Sequence, residues 1–448
     1  MMRRLRRLNL VPRPLVMAII GGLGLLVLVS GEATSQSRAS GSVYGGFGIG
    51  ERRSIYSSQA QGMGVLGVGL FTPAYLNLSN PGAYSDQVFT RFAGGMDFTG
   101  VRSTDAASQS STSASGNIGS IQFGFPIMTR KLGFAASYGP YTNAGYRATT
   151  FGVLESDGSE PGTLYETNFE GSGGIQEANF GFGYKFSRGF SIGVSGSALW
   201  GITGDAVRTE YGNVSDFVSS AKQRVSTRLN GFTGSAGFVL RSPRVFGSND
   251  VLTFGGSFVL PTSLSGARTQ FVNQGLTLSD TVGAAIDIEA NIPMRIQAGI
   301  TYTPNQKWLI AADGRYEPWS TFEGNRVFRG YDPNKPAVYN DAYRIGIGAQ
   351  FIAAGNDPFA GKLARTALRF GFFTERAYAA PQTNYKLVTY GLSGGLSIPT
   401  ALPGTYLDLA GQIGTRGESQ GILVKDLLYK ISVTLNFGER WFIQRRLR

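Results

Sequence analysis

Apolar and polar positions alternate with period two through much of the chain after residue 87. In Arg295 to Thr303, Ile296, Ala298, Ile300 and Tyr302 hold one set of positions. Arg295, Gln297, Gly299, Thr301 and Thr303 hold the other. Successive side chains of a strand point to opposite faces, so this segment predicts a strand with one apolar and one polar face. Tyr343, Ile345, Ile347, Ala349 and Phe351 repeat the pattern, as do Tyr429, Ile431, Val433, Leu435 and Phe437. Phe190, Ile192, Val194, Gly196, Ala198 and Trp200 do so against serines and a glycine. Fourteen such segments are predicted: 88–98, 117–125, 131–140, 175–186, 189–200, 231–241, 251–260, 294–303, 307–316, 342–353, 366–375, 387–397, 404–414 and 427–437. Most are near the roughly 9–11 residues that a tilted strand needs to cross a bilayer.

The connections carry a second pattern. Those at 126–130, 187–188, 242–250 and 304–306 are short, and 354–365 and 398–403 are intermediate. Those following odd strands are longer: 99–116, 141–174, 201–230, 261–293 and 317–341, shrinking to 376–386 and 415–426. Short turns on one side and long loops on the other are the layout of an outer-membrane barrel. The expected fold is therefore all-β, a fourteen-stranded antiparallel transmembrane barrel over 88–448, with both barrel ends on the short-turn, periplasmic side. A soluble sandwich or propeller would also alternate, but would not explain the loop lengths. Trp200, Trp308, Trp319 and Trp441 fall at or just beyond predicted strand ends, with Tyr302, Tyr316 and Tyr343 nearby. Amphipathic rings favour the bilayer interface, which predicts two aromatic girdles.

Residues 1–35 supply the address. Arg3, Arg4, Arg6, Arg7 and Arg13 precede an apolar run from Leu15 to Val29, followed by small residues around Ala33 and Ser35. That order predicts a secretory signal peptide cut after Ser35. An uncleaved anchor is the competing reading, but the run is short for a span of about 20 residues. Removing those five arginines and Glu32 reduces the net charge from +12 to +8. Part of the basic balance is thus targeting, and no cluster of Lys/Arg interleaved with aromatics points to nucleic acid.

Composition narrows the chemistry. There is no Cys and no His. Disulfides, thiolate nucleophiles, His-dependent hydrolases and nearly every catalytic zinc site are excluded, so neither an enzyme nor a cofactor is expected. Charged residues are only 16%, and Gly numbers 64 of 448. Glycine on an inner face lets a closed sheet curve and lets another element approach it closely. Residues 36–87 do not alternate. Ser54 to Gly69 and Ala74 to Tyr84 are too rich in small and turn residues for a separate domain and too apolar for a free tail. A fourteen-stranded barrel has more lumen than its own side chains fill. Residues 36–87 are therefore predicted to be a plug, with the stretch about Asn80-Pro81 against the inner wall.

Three places resemble the FadL/TodX outer-membrane transporters of hydrophobic compounds. Gln59 to Gly69 followed by Asn80-Pro81-Gly82 is similar to that family's hatch and its Asn-Pro-Ala/Gly element. Ile292 to Gly299, running into Lys307-Trp308-Leu309 and Ala312-Asp313, resembles its strand–turn–strand, with Trp319-Ser320 just beyond. Gly139-Pro140-Tyr141 stands where members have a Pro-containing break near the end of strand 3. The end, Asn436 to Phe442, resembles that of such proteins from Bacteroidetes-type bacteria. The resemblance implies a barrel plugged by a hatch and passive transport of long-chain fatty acids or other hydrophobic small molecules. Cargo would land on a groove between long loops, reach a pocket beside the hatch, and leave sideways through a gap in the wall.

Residue by residue, Pro140 has no N–H to donate and would interrupt a ladder there, or would merely end strand 3. Loops 141–174 (Phe151, Leu154, Leu164, Tyr165, Phe169) and 261–293 (Phe271, Val272, Leu276, Leu278, Val282, Ile286) are candidates for the landing groove, or pack on themselves. Arg295, Asp313, Arg315, Arg344 and Arg369 fall on the polar face. They are candidates for binding a carboxylate, against the plainer expectation that lumenal charges pair with each other. An apolar pocket opening beside Gly139-Pro140 is expected, in a monomer whose partners are a hydrophobic small molecule, outer-membrane lipid and lipopolysaccharide. Two other functions remain open: a barrel serving as a protein-interaction component, resembling PorV-type secretion adaptors, and a general porin.

Overall fold

The computed structural model describes residues 41–439, apart from 54, 155–162, 212–220, 275–278, 335–338, 356, 380–384, 403 and 422. The predicted signal peptide, its cut after Ser35 and Trp441 lie outside the described residues. Among those described, fourteen antiparallel strands close into one barrel. They are β1 (Thr90–Thr104), β2 (Ser110–Met128), β3 (Leu132–Pro140), β4 (Thr163–Lys185), β5 (Phe190–Tyr211), β6 (Ala221–Pro243) and β7 (Val251–Val259). The ring continues through β8 (Arg295–Thr303), β9 (Trp308–Glu317), β10 (Ala342–Ile352), β11 (Ala367–Arg376), β12 (Val388–Pro399), β13 (Tyr406–Arg416) and β14 (Lys425–Glu439). Each pairs with its sequence neighbour, and β1 closes on β14 from Thr90↔Glu439 to Thr104↔Lys425. Closure leaves no free edge in the hydrocarbon except where the ladder stops.

The register puts the predicted apolar faces outward. Ile296, Ile300, Ile345, Ile347 and Ile431 are exposed, whereas Gln297, Thr301, Arg344 and Ser432 are buried. A one-residue slip would reverse every one of these, so the alternation itself specifies the register. The belt of outward Ile, Leu, Val and Phe marks the hydrocarbon-facing zone.

Several segments expected as long loops are largely strand. Tyr146–Leu154 extends the line of β3 and pairs with Thr163–Gly171 of β4. β5 and β6 remain paired from Phe190↔Leu240 to Thr209↔Ala221. Thr262–Gln274 pairs with β6 and with Ile286–Ile292. The 22 residues of β5 reach roughly 70 Å at about 3.3 Å each, far more than a bilayer needs. Beyond the belt the outer face meets water, so apolar alternation fades while the backbone ladder continues.

Away from the short turns, the inward face itself becomes apolar. Ile175, Leu199, Leu229, Leu264 and Ile288 form one buried cluster with Trp319, Phe322, Phe328, Tyr339 and Tyr378. Trp319 therefore does not belong to a girdle. It is fully buried, stacks on Tyr378 with ring centroids 3.9 Å apart, and donates its Nε1–H to Glu317 at 2.7 Å. The connection after β9 turns inward and carries the ring to the inside of this cluster. Trp200 and Trp308 are exposed at strand positions, as girdle residues should be.

Candidate functional site: a cavity at a break in the barrel wall

The polar inner face holds the N-terminal segment 41–87. Ser57 caps a short helix, Ser58–Met63, by accepting the Ala60 N–H, and Gly64 ends it in a left-handed conformation. The next turn offers three backbone N–H groups to one carboxylate. Asp313 on β9 accepts Leu66 at 2.9 Å, Gly67 at 2.6 Å and Val68 at 3.3 Å. Wall glycines permit this closeness: the bare backbones of Gly348 and Gly371 lie against the Met63 carbonyl, where a Cβ would collide. Asn80 is fully buried, and its Nδ2 donates to Val68 at 3.0 Å and to Phe238 of β6 at 2.8 Å. Pro81 begins a 3₁₀ turn whose Tyr84 is also buried. Asn80 and Pro81 thus touch the inner wall.

The polar-face arginines are largely paired. Arg315 and Arg344 are register partners on β9 and β10, and Glu375 of β11 takes a 2.7 Å ion pair from each. Arg369 is buried with Asp408 at 3.1 Å and donates to the Tyr75 hydroxyl oxygen at 2.6 Å and to the Gln350 side-chain oxygen at 2.9 Å. Arg416 bridges Glu51 at 2.8 Å and Asp426 at 3.1 Å. Against burial, which raises it, Arg416 and Arg53 hold the Glu51 carboxyl below the usual carboxylate range. Arg295 stands elsewhere, beside Glu177, Asn179 and Gln297 in a small cavity of about 50 Å³.

The wall breaks beside Gly139-Pro140. β2 and β3 pair from Met128↔Leu132 to Ile121↔Tyr138 and no further. β2 nevertheless continues back to Ser110, paired with β1 alone. Residues 110–120 therefore have a ladder on one side only, among the described residues. On the other side, Pro140 still faces Gln176 of β4, and Tyr141 donates its N–H to Ile175 at 2.8 Å. Successive N–H groups of a strand point to opposite neighbours, so the donor that Pro140 lacks is on the β2 side. The chain then bends inward: Thr142-Asn143 leaves the wall and pairs with Glu51-Arg52 of the N-terminal segment. Gly173 and Gly174 of β4 make room for the bend, at φ +80° and +149°.

Behind the break is a cavity of about 190 Å³, whose lining includes Pro140, Asn143, Gly119, Ser120, Tyr56 and Ile55. Its charged lining runs through Glu51, Arg52, Arg53, Asp97, Arg315, Arg344, Glu375, Arg416 and Lys430. Apolar side chains, Ile55, Tyr56, Phe373 and Leu387 among them, share this lining with the charges, because the polar face of each strand points there. At the top of the cavity Tyr378 accepts the Ile49 N–H at 3.0 Å, and burial holds its hydroxyl above the usual phenol range. The residues missed in the sequence are Gly173 and Gly174, the Glu51–Arg52 strand, and the acids that pair the arginines, Glu317, Glu375 and Asp408. The run Gly171-Ser172-Gly173-Gly174 inside a strand was the available signal for the bend.

The apolar residues expected in a landing groove sit on the extended hairpins instead. Phe151, Leu154 and Leu164 are exposed there, as are Val282 and Ile286 on the second hairpin. Leu276 and Leu278 lie outside the described residues.

No curated protein matches the chain. A FadL homologue from Pseudomonas aeruginosa is similar in structure at TM-score 0.55 and 13% identity, over 86% of this chain and 98% of that one. The toluene transporter TbuX of Ralstonia pickettii gives 0.52 and 15%, over 86% and 98%. The CymD monoaromatic hydrocarbon channel gives 0.52 and 14%, over 87% and 98%. The fold is that of the FadL-type outer-membrane barrels, which places the protein in the bacterial outer membrane. The BamG family model matches residues 19–448, nearly the whole chain, and the protein belongs to the BamG family.

Proposed function

We propose that this barrel passively carries hydrophobic small molecules, long-chain fatty acids among them, across the outer membrane. Segment 36–87 acts as the hatch, and the break beside Gly139, Pro140 and Tyr141 is a lateral exit. The observation that carries the reading is the unpaired stretch of β2 above Ile121. A long alkyl chain loses about 0.8 kcal/mol per CH₂ exposed to water, so a route that opens sideways into lipid avoids a steep climb through a wet lumen. The solved structures similar to this one include a toluene transporter and a monoaromatic hydrocarbon channel, which supports the same class of cargo. Asn80 and Pro81 hold the hatch to the wall, while Arg315 and Arg344, being paired, maintain the charged lining. The cationic side chains of that lining favour a cargo with an acidic head over a pure hydrocarbon.

A second reading is favoured by Phe359 and Leu363, which are 95% and 91% exposed on the short-turn side between β10 and β11. Apolar side chains standing this free suit a protein-interaction component resembling PorV-type adaptors. Uptake separates the two. Pro140→Val supplies an N–H on the β2 side and should slow uptake of a labelled fatty acid several-fold at unchanged surface levels. Uptake equal to wild type would remove the lateral exit beside Pro140, and no uptake above a strain lacking the protein would remove the transport reading. Deleting 43–80 should turn a poorly conducting protein into an open pore in planar bilayers, and unchanged conductance would remove the hatch.

A further inference from the structure

We infer that the short-turn rim of the barrel is a docking collar for anionic phospholipid. Arg130, Lys131, Arg188, Arg244 and Lys307 hold the phosphates of the leaflet on that side, and Phe186 and Phe246 sit at its acyl boundary. The inference is independent of what the barrel carries.

Charge is the first argument. The turns 126–131, 186–189, 243–250 and 304–307 together hold five cations and one carboxylate, Asp250. That carboxylate is taken by the N–H groups of Val245, Phe246 and Gly247. Asp86 adjoins the Gln87 carbonyl that receives the Arg130 N–H, and it is paired with Lys185 at 2.5 Å. All five cationic residues are exposed. On the long hairpins, by contrast, exposed charges stand in pairs of opposite sign, Arg147 with Glu170 and Arg208 with Glu210. The short turns of an outer-membrane barrel face the periplasm, and the leaflet on that side is built of phospholipid. A row of exposed cations attracts the anionic members of such a leaflet.

Backbone conformation is the second argument. Arg130 and Arg244 have φ of +56° and +59°, and they are two of the three non-glycine residues in the left-handed region among the described residues. Each is held there by its own N–H, donated to the Gln87 carbonyl at 3.3 Å and to the Asp250 carbonyl at 2.9 Å. Glycine adopts this conformation freely, whereas a side chain opposes it. Two separate turns carry a guanidinium where glycine would fit best, which points to a use for the side chain rather than for the turn. Position is the third argument. Phe186 and Phe246 are 61% and 76% exposed. Phe186 stacks on Phe190 with centroids 6.0 Å apart, and Phe246 meets Tyr302 edge-on at 5.7 Å. Both partners lie on the outward apolar faces of β5 and β8. The Lys131 ammonium stands 5.8 Å from the Tyr184 ring centroid. The apolar outer face thus runs from the hydrocarbon belt into the turns, and the cations stand at its border, the depth of the lipid phosphates. An acidic protein surface would match the charges but not the outward phenylalanines that continue the belt.

Native mass spectrometry of the full chain, released from detergent micelles containing equal amounts of phosphatidylglycerol and phosphatidylcholine, tests this. A Lys or Arg close to anionic lipid strengthens binding by about fivefold. Phosphatidylglycerol should therefore be retained at least about tenfold over phosphatidylcholine, and the preference should shrink as ionic strength rises. The triple variant Arg130→Gly, Arg188→Gln, Arg244→Gly should bring the two lipids to near parity. Glycine suits both left-handed positions, so the melting temperature of this variant should not fall. The variant Arg130→Lys, Arg244→Lys should keep most of the preference, since a phosphate accepts either cation. Equal retention of the two lipids by the wild type, or a preference unchanged in the triple variant, overturns the inference. So does displacement of phosphatidylglycerol by a polyglutamate peptide at equal concentration, which would assign the rim to an acidic protein instead. Uptake plays no part in this measurement, so the transport reading and the collar stand or fall separately.

Discussion

The Asp313 carboxylate accepts the Gly67 N–H at 2.6 Å, joining the wall strand β9 to the turn that follows the short helix of the N-terminal segment. The same carboxylate takes the N–H groups of Leu66 and Val68. Three converging donors make a compact anchor, and a hydrogen bond to a charged group is worth about 1.5–3 kcal/mol. Asp313→Ala should therefore loosen residues 66–68 without opening the barrel. Hydrogen exchange at those three amides should rise more than tenfold, with the amides of β9 and β10 unchanged. Unaltered exchange at 66–68 would show that the glycine-lined packing alone holds the turn.

The Arg369–Asp408 pair, with both side chains 1% exposed, fastens another part of the segment through Ser58 and Tyr75. Removing one partner of a buried pair leaves the other charge uncompensated, at about 3–5 kcal/mol. Asp408→Asn should lower the urea midpoint of the refolded protein accordingly. Arg369→Met combined with Asp408→Asn should recover part of the loss. Equal destabilisation by the single and double variants would argue against a coupled pair.

Trp319 fills the centre of the apolar cluster at the outer end. Trp319→Ala should cost about 3–5 kcal/mol, the usual range for a buried aromatic cut to alanine. The ring's stacking partners, Tyr378 and Phe322, lie on the connections beyond the strand ends, so the loss should appear locally. Limited proteolysis within 318–334 should become fast while the barrel core resists. Resistance equal to wild type would mean that the cluster does not depend on its central ring.

Much of the fold was legible because lipid on one side and a polar interior on the other impose a strict period of two. Ile296 and Gln297 report opposite faces at a glance, and all fourteen strand positions follow from such pairs. Residues 201–211 and 221–230 were not legible as strand, because Val207-Arg208-Thr209-Glu210 lies beyond the hydrocarbon, where neither face has to be apolar. Trp319 was misplaced for a related reason: a sequence gives its distance from a strand end but not whether the following turn leads outward or inward. At the site, Pro140 could be read because a missing N–H has the same meaning in any strand. Gly173 and Gly174 were hidden by the assignment of their stretch to a loop. The pairing of Arg315 and Arg344 was anticipated in kind, but its acid, Glu375, comes from a third strand that only the register identifies.

The central claim is that cargo passes between lumen and lipid at the break between β2 and β3. A photoactivatable fatty acid, with the reactive group midway along its chain, tests this directly in outer-membrane vesicles containing the full chain. The account predicts adducts concentrated on residues 110–120 of β2 and 139–146 beyond β3, lost in Pro140→Val, with only background labelling of the outward Ile345 and Ile347. Labelling spread evenly around the lipid-facing belt, or unchanged by Pro140→Val, would contradict it.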